Sequence, residues 1–253
     1  MSGLHHLVVW FNDPLNWRGS NGILARLVEH LTLWAWAMAG SIVVGVGGGL
    51  ALGRSRRRGT LAVNAANIGR AIPSFAVLVL GVIWLGLGNT PVEIALVLLA
   101  VPPIFTFTFT GVRQVDAATV ESARGMGMTE GRILRSVQVP LALPLILSGV
   151  RLASAAVLAT ATLAALVGGG GLGRFVVDGF AVRDFAQVGA GVVLVVGLVL
   201  INELAFAWLV RVAVSPGLRR AAVGRSGRGH RFGTARRWRP MRVDAVGGTT
   251  ISS

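Results

Sequence analysis

The stretch VESARGMGMTEGRILRSVQVP, residues 120–140, is a polar segment inside a chain that is otherwise strongly apolar. It contains two glutamates and three arginines, whereas the apolar stretch 94–112 that precedes it in the chain contains no charged residue. Charged side chains are costly inside a lipid bilayer, so we expect this segment to leave the membrane between two spans. Its own apolar residues then need a surface to cover them.

The composition indicates a membrane protein. Of the 253 residues, 53% are hydrophobic and 13% are charged, about half the charged share of an ordinary soluble domain. The net charge is +14, and every basic residue is arginine because the chain contains no lysine. A Walker A loop needs a lysine on the nucleotide phosphates, so that kind of ATP site is excluded.

Cysteine is also absent, which excludes disulfides, thiol nucleophiles and cysteine metal ligands. The four histidines show no metal-binding spacing. We therefore predict no catalytic residue, no metal site and no cofactor in this chain.

Five apolar stretches have about the length of 20 residues that a membrane-spanning helix needs. They are residues 31–53, 71–92, 94–112, 141–167 and 185–210. The run FTFTFT, residues 105–110, alternates like a β-strand, but an isolated strand in lipid leaves its backbone unpaired, so we predict a helix. The sequence thus predicts an all-α, polytopic membrane protein with five core transmembrane helices. A sixth helix, interfacial or re-entrant, is left open at residues 4–24 or 168–184.

Arginine is distributed unequally between the two sides of the predicted spans. The richer side carries Arg54, Arg56, Arg57, Arg58, Arg70, Arg113, Arg124, Arg132, Arg135 and Arg211. Because basic residues favour the cytoplasmic side, this bias predicts a multi-pass protein of the plasma membrane with its N-terminus outside and its C-terminus in the cytoplasm. Residues 1–23 are then extracytoplasmic, 24–214 form the membrane domain, and the Arg-rich tail 215–253 is cytoplasmic, with a composition that does not build a core.

The polar segment is predicted to fold as two short helices joined by a bend. Asp116 is a suitable N-cap for a first helix, and Thr129 for a second over residues 130–137. Gly125 and Gly127 lie between them, and Pro140 either ends the unit or opens the fourth span, where its missing N–H costs nothing.

Ile133, Leu134 and Val137 fall on one face of the second short helix. The sequence leaves three covers open for this apolar stripe: the chain's own spans, the lipid headgroups, or a groove in a partner protein.

The segment resembles the EAA loop of ABC importer permeases, in which E-A-A is followed after three residues by G, after nine more by I, and then by one residue and L-P. The matching positions here are Glu121, Ser122, Ala123, Gly127, Val137, Val139 and Pro140. Serine replaces the second alanine, and valine replaces isoleucine and leucine.

Four stretches resemble the osmoprotectant branch of these permeases, which imports betaine, choline and carnitine. They are NIGRAIPSFAVLVL at 67–80, GVRQVDAATVESARGMGM at 111–128, VPLALPLILSGVR at 139–151 and ATLAALVGGGGLG at 161–173. The likeness covers roughly residues 24–212.

The resemblance implies the fold of a type I ABC importer permease and the import of a small compatible solute. It implies two ABC ATPase subunits that bind the ATP, a second permease subunit, identical or different, and an extracytoplasmic solute-binding protein. The residues it assigns to ATPase coupling are Glu121, Ser122, Ala123, Gly127, Thr129, Ile133, Leu134, Val137 and Pro140. Membrane lipid is a further partner, whereas the tail lacks the motifs of a nucleic-acid binder.

Two alternatives remain on sequence grounds. One is an ABC permease for another small solute, such as an amino acid. The other is a membrane assembly protein that never transports.

Five residues are candidates for the transport pathway or its gate: Pro73, Ser74, Phe75, Pro102 and Pro103. Prolines are expected to kink the helices that contain them, and broken helices often border a substrate path in transporters. Ordinary helix packing is the alternative explanation for these prolines.

Arg151 and Glu203 are the two charges inside the predicted spans. Since an intramembrane charge should have a partner, we predict that they pair, the alternative being that each reaches water separately. The run GGGGLG, residues 168–173, matches a dinucleotide pattern only formally, because it follows a membrane span rather than a strand. We predict a flexible hinge or close helix packing there.

Overall fold

The computed structural model describes residues 2–53, 56–69 and 74–213, and all regular structure in these ranges is helical. The helices are α1 Ser2–Asn12, α2 Ile23–Leu52, α3 Arg56–Gly69, α4 Ser74–Leu85, α5 Asn89–Arg113, α6 Ala117–Gly125, α7 Glu130–Ile133, α8 Val139–Thr160, α9 Gly173–Ala181 and α10 Phe185–Ala213. A π-helical segment, Leu134–Gln138, joins α7 to α8, and 3-10 segments cover Pro14–Asn16 and Ala161–Val167. The all-α prediction is confirmed, and the tail 215–253 lies outside the described residues.

Four helical segments of the described chain are long and apolar enough to cross a membrane: Ile23–Leu52, Asn89–Arg113, Glu130–Val167 and Phe185–Ala213. The run FTFTFT lies within continuous α5, as predicted. A shorter apolar helix, Phe75–Leu85, occupies the position of the second predicted span.

The predicted boundary between the second and third spans, at residues 92–94, is wrong. The chain turns earlier, after Leu85, and α5 begins at Asn89. Gly86 and Gly88 have φ values of 83° and 133°, which glycine adopts readily because it has no Cβ. These two glycines therefore set the turn, although no charged residue marks it.

Helix α5 is the centre of the bundle, where it packs between α2 and α8. On α2, a Cβ added to Gly45 would lie 2.8 Å from the Cβ of Ile104, and one added to Gly49 would lie 2.7 Å from the Cβ of Thr108. Helices in lipid use such small residues to approach closely. Since the matched positions increase together along both helices, α2 and α5 run parallel.

Helices occur in both ranges where the sequence left a sixth helix open: α1 overlaps residues 4–24, and α9 lies within residues 168–184. Trp10 of α1 packs edge-to-face on Phe175 of α9, with ring centroids 5.5 Å apart. Both rings join a small core that contains Ile23 and Leu172. Helix α1 also packs on α10, so the N-terminal segment is held against the membrane helices.

Candidate functional site

The residues of the EAA-like motif form one continuous unit of structure. Helix α6 ends in two hydrogen bonds: the Gly127 N–H donates to the Arg124 carbonyl (2.9 Å), and the Met128 N–H donates to the Ala123 carbonyl (3.2 Å). This pattern is a Schellman cap, which requires a left-handed residue at its turn. Gly127 supplies it with φ of 79°. The glycine of the motif is therefore the residue that reverses the chain between α6 and α7.

Arg124 connects the two sides of this bend. Its Nη1 lies 2.6 Å from Glu121 Oε1 on α6, and its Nε lies 2.8 Å from Glu130 Oε1 at the start of α7. The two carboxylates, Glu130 foremost, raise the pKa of Arg124 above its usual range. All three side chains are about half exposed or more, so water weakens the energy of each pair, but together they constrain the angle of the bend.

The second short helix is fused to the membrane span that follows it. Helix α7, the segment Leu134–Gln138 and α8 are one uninterrupted helical rod. The Val139 N–H donates to the Leu134 carbonyl, five residues back, which is a π-type bond. Pro140 lies in the first turn of α8, where the widened turn tolerates its ring and its missing N–H. Of the two options that the sequence gave for Pro140, it opens the span.

The apolar stripe is covered largely by the chain itself. Ile133 is only 1% exposed, and Leu134 packs on a cluster formed by Val112, Ala142 and Ile146. Among the three covers that the sequence left open, the chain's own spans are the one that the structure shows for Leu134. Leu134 thus ties the start of the rod to α5 and α8, while Leu134 and Val137 remain partly exposed.

The exposed part of the unit is the bend. Met126 is 76% exposed, an unusual position for a large apolar side chain at the end of a short polar helix. Gly127 and Thr129 beside it are also exposed, whereas Ala123 is buried between α6 and the rod. Neither Asp116 nor Thr129 caps its helix through a side-chain hydrogen bond, although both stand at the N-cap position.

The motif comparison missed Arg124, Met126 and Glu130. The three-residue spacing of Glu121 and Arg124 is a weak signal for their ion pair. No pattern in the sequence marks Met126, because its exposure depends on how α6 turns back.

The candidate gate residues that the structure describes lie on two different helices. Pro73 lies outside the described residues, Ser74 begins α4, and Phe75 beside it is 49% exposed. Pro102 and Pro103 lie within α5, which continues through both as an α-helix, and Pro103 is buried.

Arg151 on α8 and Glu203 on α10 lie together in the structure. Arg151 Nε is 2.6 Å from Glu203 Oε2, and a second guanidinium nitrogen contacts the same oxygen. One turn further along α8, Ser154 Oγ donates to Asn202 Oδ1 (2.6 Å) and accepts from the Trp34 indole N–H (3.0 Å). Polar side chains therefore link α2, α8 and α10 at mid-span.

The glycine-rich loop, residues 168–173, packs closely against the N-terminal end of α2. Glu29 Oε2 accepts from the Gly171 N–H and from Arg26 Nη1, both at 2.8 Å. A Cβ on Gly170 would overlap the Glu29 carboxylate, and one on Gly173 would overlap the Thr162 carbonyl. Of the two predicted roles, hinge or close packing, the second is what the structure shows.

The described residues contain no group of three or more His, Asp or Glu side chains placed to hold a metal ion. In place of such a site, the motif unit consists of a capped bend, a largely buried apolar stripe and a helical rod that continues into a membrane span.

Comparison with known proteins supplies the family. Residues 41–219 match the family described as the inner membrane component of binding-protein-dependent transport systems. The carnitine transport permease protein OpuCB of Listeria monocytogenes is 35% identical over 185 residues, which cover 73% of this chain and 85% of that protein. The glycine betaine/carnitine/choline transport system permease protein OpuCB of Bacillus subtilis is 33% identical over 209 residues, which cover 82% and 96%.

A solved structure shares the fold. An inward-facing form of the MetNI methionine ABC transporter contains a chain that superposes with a TM-score of 0.69 at 24% identity, covering 81% of this chain and all of that one. At that identity the likeness concerns the fold, which is that of the type I ABC importer permeases. Apolar membrane-crossing helices, a fused motif unit and the matched relatives agree, and the chain belongs to the family of inner-membrane components of binding-protein-dependent transport systems.

Proposed function

We propose that this chain is the membrane-spanning permease subunit of an ABC importer that moves a quaternary-ammonium compatible solute, such as glycine betaine, choline or carnitine, into the cell. The observation that supports this proposal most directly is the continuous rod from α7 through α8. This rod joins an exposed bend to the middle of the membrane domain. The substrate class comes from the names of the relatives.

In this proposal the bend docks on an ATPase subunit. Met126 is the exposed apolar anchor, and helix-in-groove contacts use such anchors. Glu121 and Arg124 lie on the rim beside it, where charges set orientation more than affinity. Gly127 fixes the direction in which Met126 points.

A movement of the bend is transmitted to the membrane span α8 because the residues that connect the bend to α8 are packed and continuously helical. Ile133 is buried, Leu134 packs on the cluster of Val112, Ala142 and Ile146, and the π-segment leads without a loop into α8. The motif positions Ser122, Val137 and Pro140 belong to this unit.

The proposed partners follow from the assignment of this chain as the permease subunit. Two ATPase subunits bind and hydrolyse ATP, a second permease subunit completes the path, and an extracytoplasmic binding protein delivers the solute. This chain supplies no catalytic group, and it needs no metal or cofactor of its own.

We further propose that the N-terminus lies outside the cell and the C-terminus in the cytoplasm, because arginines are concentrated on the side of the motif. Residues 1–23 are then extracytoplasmic, 24–214 form the permease domain, with its EAA loop at 116–140, and 215–253 form a cytoplasmic tail near anionic lipid. Pro73, Ser74, Phe75, Pro102 and Pro103 remain candidates for the path or gate.

The test is reconstitution. The chain is co-expressed with its ATPase and binding-protein partners, purified, and placed in proteoliposomes that contain ATP. Radiolabelled choline, glycine betaine or carnitine should accumulate only when ATP and the binding protein are both present. Uptake of an amino acid instead would favour a permease for another solute. Neither ATPase co-purification nor any uptake would favour an assembly protein.

A further inference from the structure

A groove on the outside of the α2–α5 pair combines an acid with an aromatic ring. It has a volume of about 320 Å³ and is lined by Trp36 of α2 and by Glu93, Ile94, Val97 and Leu98 of α5. This volume lies at the lower end of the range of about 300–1,000 Å³ that small-molecule pockets occupy.

The register of the two helices places Trp36 level with Glu93. A Cβ on Gly40 would lie 3.5 Å from Val97 Cγ2, so these positions face each other in the parallel pair. One turn earlier, four residues back on each helix, come Trp36 and Glu93. Both side chains therefore border the groove at the same height.

Glu93 stands about 6 Å from the start of α5, counted by helical rise. Within the described residues no ion pair or hydrogen bond holds its carboxylate, in contrast to Glu29, which is held by Arg26 and Gly171. A carboxylate in a membrane helix calls for a positive partner, and the described part of the chain provides none.

We propose that this groove binds the methylated ammonium group of a compatible solute. The Glu93 carboxylate balances the positive charge, and the Trp36 indole, which is 67% exposed, offers its face for cation–π contact. Ile94, Val97 and Leu98 contact the methyl groups. A quaternary nitrogen has no N–H to satisfy, unlike the three donors of a lysine ammonium, so a mainly apolar wall with a single acid suits it.

This inference rests on the proposed function for its choice of solute, and it adds a contact for that solute on the permease itself. In the proposed orientation the groove lies near the extracytoplasmic end of α5, where a released solute first meets the membrane domain.

The test uses the purified full-length chain in nanodiscs made only of phosphatidylglycerol, whose headgroup carries no ammonium. Binding of radiolabelled choline is measured by equilibrium dialysis, with 3,3-dimethylbutan-1-ol as the neutral competitor of the same shape. We expect saturable choline binding that the neutral alcohol does not displace.

Variants separate the two contacts. Glu93→Gln keeps the shape and removes the charge, and should weaken choline binding about tenfold. Trp36→Leu should weaken it about fivefold, while Trp36→Phe, which retains an aromatic face and guards against a folding defect, should keep most of it. Trp84→Leu, at an 84% exposed position of α4 outside the groove, should leave it unchanged.

Three outcomes would overturn the proposal: no saturable binding by the unmodified chain, equal binding by Glu93→Gln, or, in a parallel preparation with added phosphatidylcholine, retention of that lipid but not of free choline in native mass spectrometry, which would make the groove a lipid-headgroup site. Uptake by the complete importer is measured in parallel. ATP-driven choline uptake without groove binding defeats this inference alone, whereas absence of uptake of every compatible solute defeats the proposed function.

Discussion

At the scale of single residues, the motif unit depends on positions whose roles the sequence showed only in part. Gly127 was predicted as part of a bend, and its φ of 79° gives the reason. The double role of Arg124 was not predictable, because Glu130 lies six residues away and meets Arg124 only after the chain turns back. The Arg151–Glu203 contact spans 52 residues, and only the general need of a buried charge for a partner suggested it.

Two glycines of the bend provide a matched comparison. A Cβ on Gly127 or on Gly131 would meet no atom within 4 Å, but only Gly127 has a positive φ. Gly127→Ala should therefore strain the cap by about 1–2 kcal/mol, and Gly131→Ala should favour α7 by up to about 1 kcal/mol. We expect solute uptake to fall severalfold in Gly127→Ala and to remain normal in Gly131→Ala, with equal amounts of protein in the membrane. Equal uptake by the two variants would show that the left-handed turn is not needed for coupling.

The contact between Arg151 and Glu203 is tested by exchanging its charges. Each single reversal, Arg151→Glu or Glu203→Arg, places like charges together between α8 and α10, and should lower the uptake and the yield of inserted protein. The double exchange should recover a large part of both, since directly contacting residues couple by about 0.5–3 kcal/mol. If the double variant is as defective as the single variants while still inserted, the two charges act separately.

At the scale of elements, most helices follow from apolar length and capping, whereas their junctions depend on packing. Residues 130–137 were predicted as a separate short helix, but the structure continues them into α8 through a π-turn. That turn depends on Leu134, which packs on Val112 of α5, and a contact so distant in sequence leaves no local pattern. The turn at Gly86 and Gly88 was missed for a different reason: no charged residue interrupts residues 71–92, so the predicted second span was continued through the turn.

The exposed bend makes a specific prediction about docking. Because the chain contains no cysteine, a single Met126→Cys substitution gives a unique site for a photoactivatable crosslinker. In membranes that contain the whole importer, we expect the crosslink to capture the ATPase subunit, and nucleotide to change its yield. Leu15→Cys, at an 81% exposed position in the N-terminal region, is the matched control and should not capture the ATPase. Capture of lipid alone from position 126 would remove the bend from the docking surface.

At the scale of the whole molecule, the sequence predicted the class of fold better than the arrangement of the helices. Hydropathy identifies helices that must enter lipid, yet it does not say which of them pack together. The central place of α5 comes from its contacts with α2 and α8, and the small residues of α2 and α8 are the sequence signal for it. The hydrogen bond from the Gly171 N–H to the Glu29 carboxylate joins residues 142 positions apart, and only the folded bundle brings them into contact.

The close approach of α2 and α5 can be tested with two glycines on the same helix. A Cβ on Gly49 would lie 2.7 Å from the Cβ of Thr108, whereas one on Gly47 would meet nothing within 4 Å. Gly49→Ala should therefore force the helices apart and lower stability by about 1–3 kcal/mol, the usual cost of overpacking. Gly47→Ala should be neutral or slightly stabilising, because alanine favours a helix over glycine by about 1 kcal/mol. Thermal unfolding of the purified protein in detergent measures the difference, and a lower Tm for Gly47→Ala than for Gly49→Ala would contradict the α2–α5 interface. Helix α5 carries both Glu93 of the groove and Val112, which belongs to the cluster that Leu134 packs on. The same Gly49→Ala variant should therefore also reduce solute uptake at temperatures where it remains folded.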